Sequence, residues 1–224
     1  MAAVTEIEQA LSEQGYAEIT SVDDLDARMG RPSARAATKV RRTLHELDRQ
    51  WLNASPFLLM ATSDAEGNLD VSPKGDPGGF VHVLDDTRIV VPDRPGNRRA
   101  DGFHNILANP KVGLLFLVPG RADTLRINGR ARLVADAPFF DDLVVQGHRP
   151  DLAVVVDIDE VFYHCAKAFM RALLWQPDSW QPGALPSRAE ISRTIERPTQ
   201  SLAELERYYG PSYADGLYRP AANT

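Results

Sequence analysis

A run of short hairpins in the middle of the chain constrains its fold more than any other feature. Residues 57–62 form a continuous apolar run, residues 64–68 have the composition of a tight turn, and residues 69–72 are suited to the returning strand. The apolar run predicts a strand buried on both faces. Hairpins followed by isolated helices favour an antiparallel barrel over a doubly wound parallel sheet, because parallel strands need long crossover connections.

A later strand carries the clearest alternation. Residues 124–134 place apolar side chains on one side and strongly polar side chains on the other, which predicts a strand with one buried face. The apolar side consists of Leu125, Ile127, Ala131 and Leu133, and the polar side consists of Arg126, Asn128, Arg130 and Arg132. Such a polar face is most often an ordinary solvated exterior, and it is also compatible with an anionic ligand or a subunit interface.

Helices are predicted around this strand-rich middle. Two short helices fit residues 1–30, with Ser21 as a cap, and a longer amphipathic helix is predicted after Ser33. The apolar stripe of that longer helix is Val40, Leu44, Leu47 and Trp51, and Pro56 ends it. In the middle of the chain, Asn97 is predicted to cap a helix over residues 98–108.

Composition excludes several classes of protein. The 25 lysines and arginines are outnumbered by 31 aspartates and glutamates, which gives a net charge of −6 and argues against nucleic-acid binding. The single cysteine, Cys165, predicts a reducing compartment, and we expect a cytoplasmic protein. The apolar stretch 112–118 is too short to span a membrane, and residues 1–10 have no apolar region of a secretory signal.

Two segments could bind an anion. In residues 92–101 a Pro/Gly loop leads to two adjacent arginines, Arg98 and Arg99, at the predicted start of a helix. Cations there oppose the helix dipole, and they are explained if a phosphate binds between them and the free N–H groups. Lys74 stands at a predicted strand end beside Gly75, where the backbone can approach a ligand. Each of these cations also fits a simple solvated surface position.

Other candidate sites are weaker. His164 and Cys165 are adjacent, but the other histidines show no metal-ligand spacing, so we predict no metal site and interpret the two residues as a packed pair at a strand end. No dinucleotide-binding, phosphate-binding or nucleophile-elbow motif occurs. The sequence identifies no catalytic side chain, and haem binding is disfavoured because no histidine stands out as an axial ligand.

Several of these segments together resemble the FMN-binding split-barrel family related to pyridoxamine 5′-phosphate oxidase. The resemblance runs from about Trp51 to Trp175. It is carried by residues 57–62 with the following turn, residues 72–76 (Ser-Pro-Lys-Gly-Asp), 92–99, 105–110, 124–131 and 162–168. The last of these segments is similar to one subgroup of FMN-dependent enzymes.

The resemblance implies a mainly β protein with peripheral helices, built on a six-stranded antiparallel split β-barrel. It also implies a homodimer with an FMN site at each of two subunit interfaces. Lys74, Arg98 and Arg99 match the family's phosphate-binding positions. Ser72, Asn97, Arg126, Asn128 and Trp175 are further candidates for cofactor contacts, and Lys167 is a weaker one.

The same resemblance leaves the activity open. The oxidase carries Arg-x-Val-Leu-Leu-Lys where residues 69–74 are Leu-Asp-Val-Ser-Pro-Lys, and it ends on an Arg-Leu-x-Pro signature where residues 217–220 are Leu-Tyr-Arg-Pro. We therefore expect an FMN-dependent oxidoreductase whose small-molecule substrate is not pyridoxamine phosphate. The alternatives are a flavin-binding carrier or redox sensor without turnover, and a reductase using the deazaflavin F420, whose acidic tail could follow Arg126, Arg130 and Arg132.

The predicted organisation has three parts. Residues 1–54 are a helical extension, residues 55–175 are the split barrel, and residues 176–224 are an irregular extension with a short helix near residues 202–209. We expect the last part to pack on the barrel or on the dimer partner.

Overall fold

The computed structural model describes Gly15, residues 17–34 and residues 38–218. The chain divides into two compact units between Lys39 and Val40. In the first unit helix α1 spans Val22–Met29, and Ser21 Oγ accepts a hydrogen bond from the Asp24 amide at 3.1 Å. This confirms the predicted cap. The other short helix predicted before Ser21 falls almost entirely outside the described residues.

The second unit contains all seven strands of the described chain and most of its helices. Its strands are β1 Phe57–Ser63, β2 Leu69–Gly75, β3 His82–Val83, β4 Arg88–Pro92, β5 Lys111–Leu117, β6 Thr124–Val134 and β7 Ala153–His164. Its α-helices are α2 Glu46–Ala54, α3 Asp101–Ala108, α4 Lys167–Arg171, α5 Arg188–Ile191 and α6 Leu202–Tyr208. A π-helical turn spans Ser192–Glu196, and 3₁₀ turns span Pro138–Leu143, Pro177–Ser179, Pro182–Ala184 and Pro211–Gly216.

The strands form one antiparallel sheet in the order β2-β1-β5-β6-β7-β4-β3. This confirms the predicted antiparallel architecture. The sheet has seven strands and is not closed, whereas six were expected; the additional strand, β3, has only two residues. Strands β6 and β7 shift register at Asn128 and Gly129, where a Cβ on Gly129 would lie 2.1 Å from the Asp157 carbonyl oxygen. Only glycine fits this bulge.

The main core lies on one face of these strands, and a second, smaller cluster lies on the other face of β4 and β7, formed by Val90, Phe140, Leu143, Ala153 and Val155. In β6 the side chains of Leu125, Ile127 and Ala131 are buried, which confirms the predicted alternation. The prediction for β1 was wrong, because burial alternates along it: Leu58 and Met60 are buried, whereas Phe57 is 37% exposed. A continuous apolar run does not distinguish a strand covered on both faces from one whose outer face is only half covered.

The prediction of a long helix after Ser33 was also wrong, because residues 39–45 are not helical. Arg41 instead forms a two-way backbone bridge with Val161 of β7, at N···O distances of 3.0 and 2.7 Å. Helix α2 begins only after His45, whose side chain and Asp48 form a reciprocal capping box. Leu47, assigned to the apolar stripe, is 58% exposed.

The C-terminal extension has a small core of its own. Ala189, Ser192 and Leu205 are buried where α5, the π-helical turn and α6 meet. Ser187 and Ser201 form capping boxes that start α5 and α6. The extension returns to the barrel at Tyr218, whose hydroxyl donates to the Asp76 carboxylate directly after β2.

Candidate functional site

A cleft of about 1020 Å³ opens where the end of β2 faces the loop between β4 and α3. We call residues 93–100 the arginine loop. Five of the eight predicted cofactor residues line this cleft: Ser72, Lys74, Asn97, Arg98 and Arg99. They come from two segments separated by more than twenty positions. Four strands lie between β2 and β4 in the sheet order, and the ion pair between Asp76 and Arg94 joins the two segments directly.

Lys74 is held between both sides of the cleft. Alternation along β2 puts its side chain on the same face as Ser72, and that side chain is 20% exposed. Its Nζ lies 3.5 Å from Asp93 Oδ1 and 4.6 Å from the centre of the Phe103 ring. The aromatic face and the carboxylate together position a partly desolvated ammonium group, which is a suitable donor for an anion.

The arginine loop has an unusual backbone. Arg98 and Ala100 have φ values of 60° and 57°, in the left-handed region that non-glycine residues seldom adopt. Asn97 does not cap the helix: α3 begins at Asp101, its cap position is Ala100, and Asn97 Oδ1 accepts from the Arg99 amide at 3.0 Å. The predicted cap was wrong, because the asparagine closes a local turn within the loop. The two arginines therefore precede the helix.

The side chain of Arg99 is held by an exposed ion pair. Arg98 and Arg99 are both exposed on the loop. Arg99 Nε donates to Asp101, the first residue of α3, and 78% of the Arg99 side chain is exposed. An ion pair this exposed contributes little to stability, so the guanidinium can exchange Asp101 for another anion at small cost.

A buried ion pair anchors the arginine loop at its start, and no sequence motif indicates it. Arg94 Nε donates to Asp76, whose side chain is 1% exposed, and Arg94 Nη2 donates to the Leu143 carbonyl at 2.8 Å. The Arg94 guanidinium also lies 5.9 Å from the Tyr218 ring centre. The hydrogen bond to Asp76, followed by burial, raises the pKa of Tyr218. This four-residue contact links β2, the arginine loop and the C-terminal extension.

Arg94 also has an unsatisfied donor. Its Nη1 is buried without a hydrogen-bond acceptor, and among the described residues only Trp51 Nε1 shares that condition. A buried donor without a partner costs free energy of about 1–3 kcal/mol. Arg94 lines the same cleft as Lys74, so this cost falls at the candidate site.

Three predicted residues lie outside the cleft. Arg126 and Asn128 belong to the polar side of β6, which with Arg130 and Arg132 we call the β6 polar face. Arg126 stacks on Phe162 at 5.2 Å, and Asn128 Nδ2 donates to Glu160 at 2.8 Å. Trp175 Nε1 donates to the Arg121 carbonyl at 2.7 Å, and its ring lies 6.2 Å from that of Phe169.

The β6 polar face is not a field of free positive charge. Arg130 and Arg132 pair with Asp159 and Asp157 of β7 at 3.4 and 3.2 Å. A smaller cleft of about 530 Å³, lined by Asn128 and Glu160 among others, lies beside this face. The acidic partners on β7 weaken the case for an extended basic track along β6.

No metal centre is present among the described residues, where no three histidine, cysteine, aspartate or glutamate side chains cluster. His164 ends β7 as expected, but both it and Cys165 are exposed, so the prediction of a packed pair was wrong. In the part of the chain that the structure describes, no helix has the length and apolar character needed to cross a membrane.

A family model described as pyridoxamine 5′-phosphate oxidase matches residues 44–165, which is more than half of the chain. The chain belongs to the pyridoxamine 5′-phosphate oxidase family. Its open antiparallel sheet is a split barrel of the kind expected from the sequence. The matched region contains the cleft-lining segment of β2 and the whole arginine loop.

Several solved structures are similar to the chain. HupZ from Group A Streptococcus is 17% identical, with 54% of this chain and 93% of that chain covered and a TM-score of 0.44. A candidate pyridoxamine 5′-phosphate oxidase from Lactobacillus delbrueckii is 25% identical, with 55% and 95% covered and a TM-score of 0.43. An FMN-binding protein from Syntrophomonas wolfei is 12% identical, with 53% and 89% covered and a TM-score of 0.41. A search of curated proteins gave no match.

Proposed function

We propose that the protein is an FMN-dependent oxidoreductase and that its large cleft binds the FMN phosphate through Lys74, Arg98 and Arg99. The observation that carries this proposal is the convergence of these three cations, from two separate segments, on one cleft. A phosphate group needs several charge-assisted donors at once, and guanidinium and ammonium groups are the strongest that a protein offers.

The residues present fit such a cofactor. The volume of about 1020 Å³ is at the upper end of the range for small-molecule sites. The 3.5 Å separation between Lys74 Nζ and Asp93 is long for an ion pair, so the ammonium can bind a phosphate without giving up a strong contact. The unsatisfied Arg94 Nη1 adds a further donor in the wall of the same cleft.

When bound, the flavin supplies hydride or electron transfer, and the protein binds and orients it. Lys74, Arg98 and Arg99 hold the phosphate, and Ser72 and Asn97 offer polar contacts beside them. We assign no side chain as a general acid or base. The substrate is a small molecule other than pyridoxamine phosphate, because residues 69–74 and 217–220 depart from the signatures of the oxidase.

We further propose a homodimer with a cofactor site at each subunit interface. Arg126, Asn128 and Trp175 lie outside the cleft of their own chain, so in this arrangement they reach a cofactor held by the other copy. Light scattering at micromolar concentration tests the assembly. A monomer under those conditions would contradict a shared site.

The deciding experiment releases the cofactor of the purified protein by denaturation and identifies it by mass. The Arg98→Ala, Arg99→Ala double variant should bind FMN about a hundredfold more weakly or worse, since each lost charge-assisted contact costs about 1.5–3 kcal/mol. The matched control is Arg130→Ala, Arg132→Ala, which removes two arginines from the β6 polar face. Circular dichroism should show both variants folded.

The outcomes separate the candidate functions. Released FMN, with affinity lost only in the cleft variant, supports the proposal. Released F420, with affinity lost in the β6 variant, supports the deazaflavin alternative. If the bound FMN is reduced by neither NADH nor NADPH and by no other donor, the protein is a carrier or sensor. Equal FMN affinity in wild type and the cleft variant would overturn the phosphate assignment.

A further inference from the structure

The charges that line the cleft are closely balanced. Its cations are Lys74, Arg94, Arg98 and Arg99, and its carboxylates are Asp70, Asp93, Asp101 and Asp151. Arg94 is already neutralised from behind by Asp76, which is 1% exposed. Counted over the described residues alone, the five carboxylates therefore exceed the four cations by one before any ligand binds.

Two of the carboxylates stand apart from the cations. Asp93 pairs with Lys74 and Asp101 with Arg99, whereas no ion pair within the described residues involves Asp70 or Asp151. Asp70 lies two residues before Ser72 on β2, so its side chain is on the face of β2 that carries Ser72 and Lys74.

The position of Asp70 is set by close packing. Its Oδ2 lies 3.1 Å from the point where a Cβ on Gly102 would stand, in the first turn of α3. The absence of a side chain at Gly102 lets the helix come against the carboxylate. Asp70 is therefore a fixed negative charge within the cleft.

We propose that Asp70 and Asp151 make the cofactor-loaded cleft select against anionic substrates and favour an organic cation, such as a protonated amine. This inference rests on the proposed function. An FMN phosphate carries about two negative charges and occupies Lys74, Arg98 and Arg99. The negative excess then rises to about three, and Asp70 and Asp151 face the volume that the phosphate leaves open. In a concave site such a field raises the local concentration of cations and lowers that of anions.

A test uses two small electron acceptors of opposite charge. FMN-loaded protein is reduced anaerobically and then reoxidised by hexaammineruthenium(III), a cation, or by ferricyanide, an anion. In each case two equivalents of the acceptor take one electron each from the anionic reduced flavin (FMNH⁻), which releases one proton to solvent and returns to the oxidised state. The two acceptors differ in reduction potential, so the charge effect is measured by the salt dependence of each rate. In wild type, added salt should slow the cation and accelerate the anion.

The variant Asp70→Asn, Asp151→Asn keeps the shape of the cleft and removes the two unpaired charges. It should reduce the rate ratio of cation to anion by about tenfold at low ionic strength. The matched control is Asp157→Asn, Asp159→Asn, which removes two carboxylates from β7 beside the β6 polar face. The control should leave the ratio within about twofold of wild type.

A binding measurement on the apoprotein gives a second readout that needs no turnover. The Asp70→Asn, Asp151→Asn variant lacks the repulsion between these carboxylates and the FMN phosphate. It should therefore bind FMN about threefold more tightly than wild type at low salt. Binding of riboflavin, which lacks the phosphate, should change much less. This difference separates a charge effect from a general change in the structure.

The outcomes also separate this inference from the proposed function. If apoprotein binds FMN but the acceptor ratio and the FMN affinity of the variant match wild type, only the charge selectivity is wrong. If added salt does not lower the rate ratio of cation to anion in wild type, the selectivity is likewise overturned. If apoprotein binds no FMN, the proposed function fails and this inference fails with it.

Discussion

The cleft and the β6 polar face have similar charges but differ in burial. Both carry several arginines, and in both the structure places aspartates against the basic side chains. On β6 the paired side chains of Arg132 and Asp157 are 59% and 35% exposed. In the cleft the paired side chains of Arg94 and Asp76 are 13% and 1% exposed. The Arg94–Asp76 pair that anchors the cleft is therefore desolvated, whereas the pairs of the β6 polar face, like the exposed Arg99–Asp101 pair, remain in water.

This difference separates a solvated strand face from a binding site. On β6 the partners stand on neighbouring strands of one sheet, so their pairs remain in water and are worth little. In the cleft the basic groups come from a strand end and a loop, and an anchored pair fixes the loop that presents Arg98 and Arg99. Under the proposed function, the concavity of the cleft and its anchored loop, rather than the number of arginines, favour phosphate binding there.

The largest expected effect is on stability. Arg94→Ala leaves the Asp76 carboxylate buried without its cation and should lower the free energy of unfolding by about 3–5 kcal/mol. Arg132→Ala, which removes an exposed partner of Asp157, should change it by less than about 1 kcal/mol. Urea unfolding of the two apoproteins, followed by tryptophan fluorescence, measures both values.

Arg94→Lys provides a graded control for this measurement. The lysine keeps the positive charge but loses the fork that reaches both Asp76 and the Leu143 carbonyl, so its effect should lie between those of wild type and Arg94→Ala. Similar losses for Arg94→Ala and Arg132→Ala would remove the proposed distinction between the two regions.

The next effect concerns ligand affinity. Lys74→Ala should weaken FMN binding by about tenfold to a hundredfold, as expected for one lost charge-assisted contact. Riboflavin affinity should change by less than about threefold if Lys74 contacts the phosphate, although loss of the contact with Phe103 costs some packing. Isothermal titration of apoprotein with each ligand measures both.

Lys111→Ala is the matched lysine control, because Lys111 pairs with Asp159 beside the β6 polar face. It should leave both affinities unchanged. An equal loss of FMN affinity in the Lys111 and Lys74 variants would mean that the two regions do not differ as ligand sites.

Local sequence signals predicted the sheet well because they depend on neighbouring residues. The hairpin between β1 and β2 and the alternation along β6 follow from turn chemistry and a period of two. The helix predicted after Ser33 failed because Arg41 pairs with Val161, a contact between residues more than a hundred positions apart. Tertiary pairing there outweighs an apolar repeat of helical period.

The site shows the same limit. Lys74, Arg98 and Arg99 were recognisable as isolated cations beside glycines, and their convergence depends on the sheet that was predicted. The contact of Asp76 with Arg94 and Tyr218 joins three distant parts of the chain, so no spacing rule indicates it. Asp70 was equally hidden, because its role depends on how closely Gly102 approaches β2.

The smallest effect tests the contact between the C-terminal extension and the cleft wall. Tyr218→Phe keeps the ring beside Arg94 but removes the hydroxyl that donates to Asp76. We expect a loss of about 1–2 kcal/mol in the free energy of unfolding at pH 7. The matched control is Tyr213→Phe, because Tyr213 is exposed, and it should have almost no effect. A buried residue such as Thr124 would not be a suitable control.

The pH dependence gives this prediction its sign. The hydrogen bond to Asp76 and burial raise the pKa of Tyr218 in the folded protein above the ordinary tyrosine value of 10.0. A group whose pKa is raised by folding contributes its full stabilisation at pH values below its pKa in the unfolded protein. That contribution to the free energy of unfolding is lost as the pH rises through its pKa in the folded protein. The stability difference between wild type and Tyr218→Phe should therefore be constant up to about pH 9 and shrink above about pH 10.

Tyr163, whose pKa burial raises to about 12, is present in both proteins and cancels from the difference. A difference that grows with pH would show that Tyr218 is not held as a neutral donor to Asp76, and the cleft wall would then lack its link to the C-terminal extension.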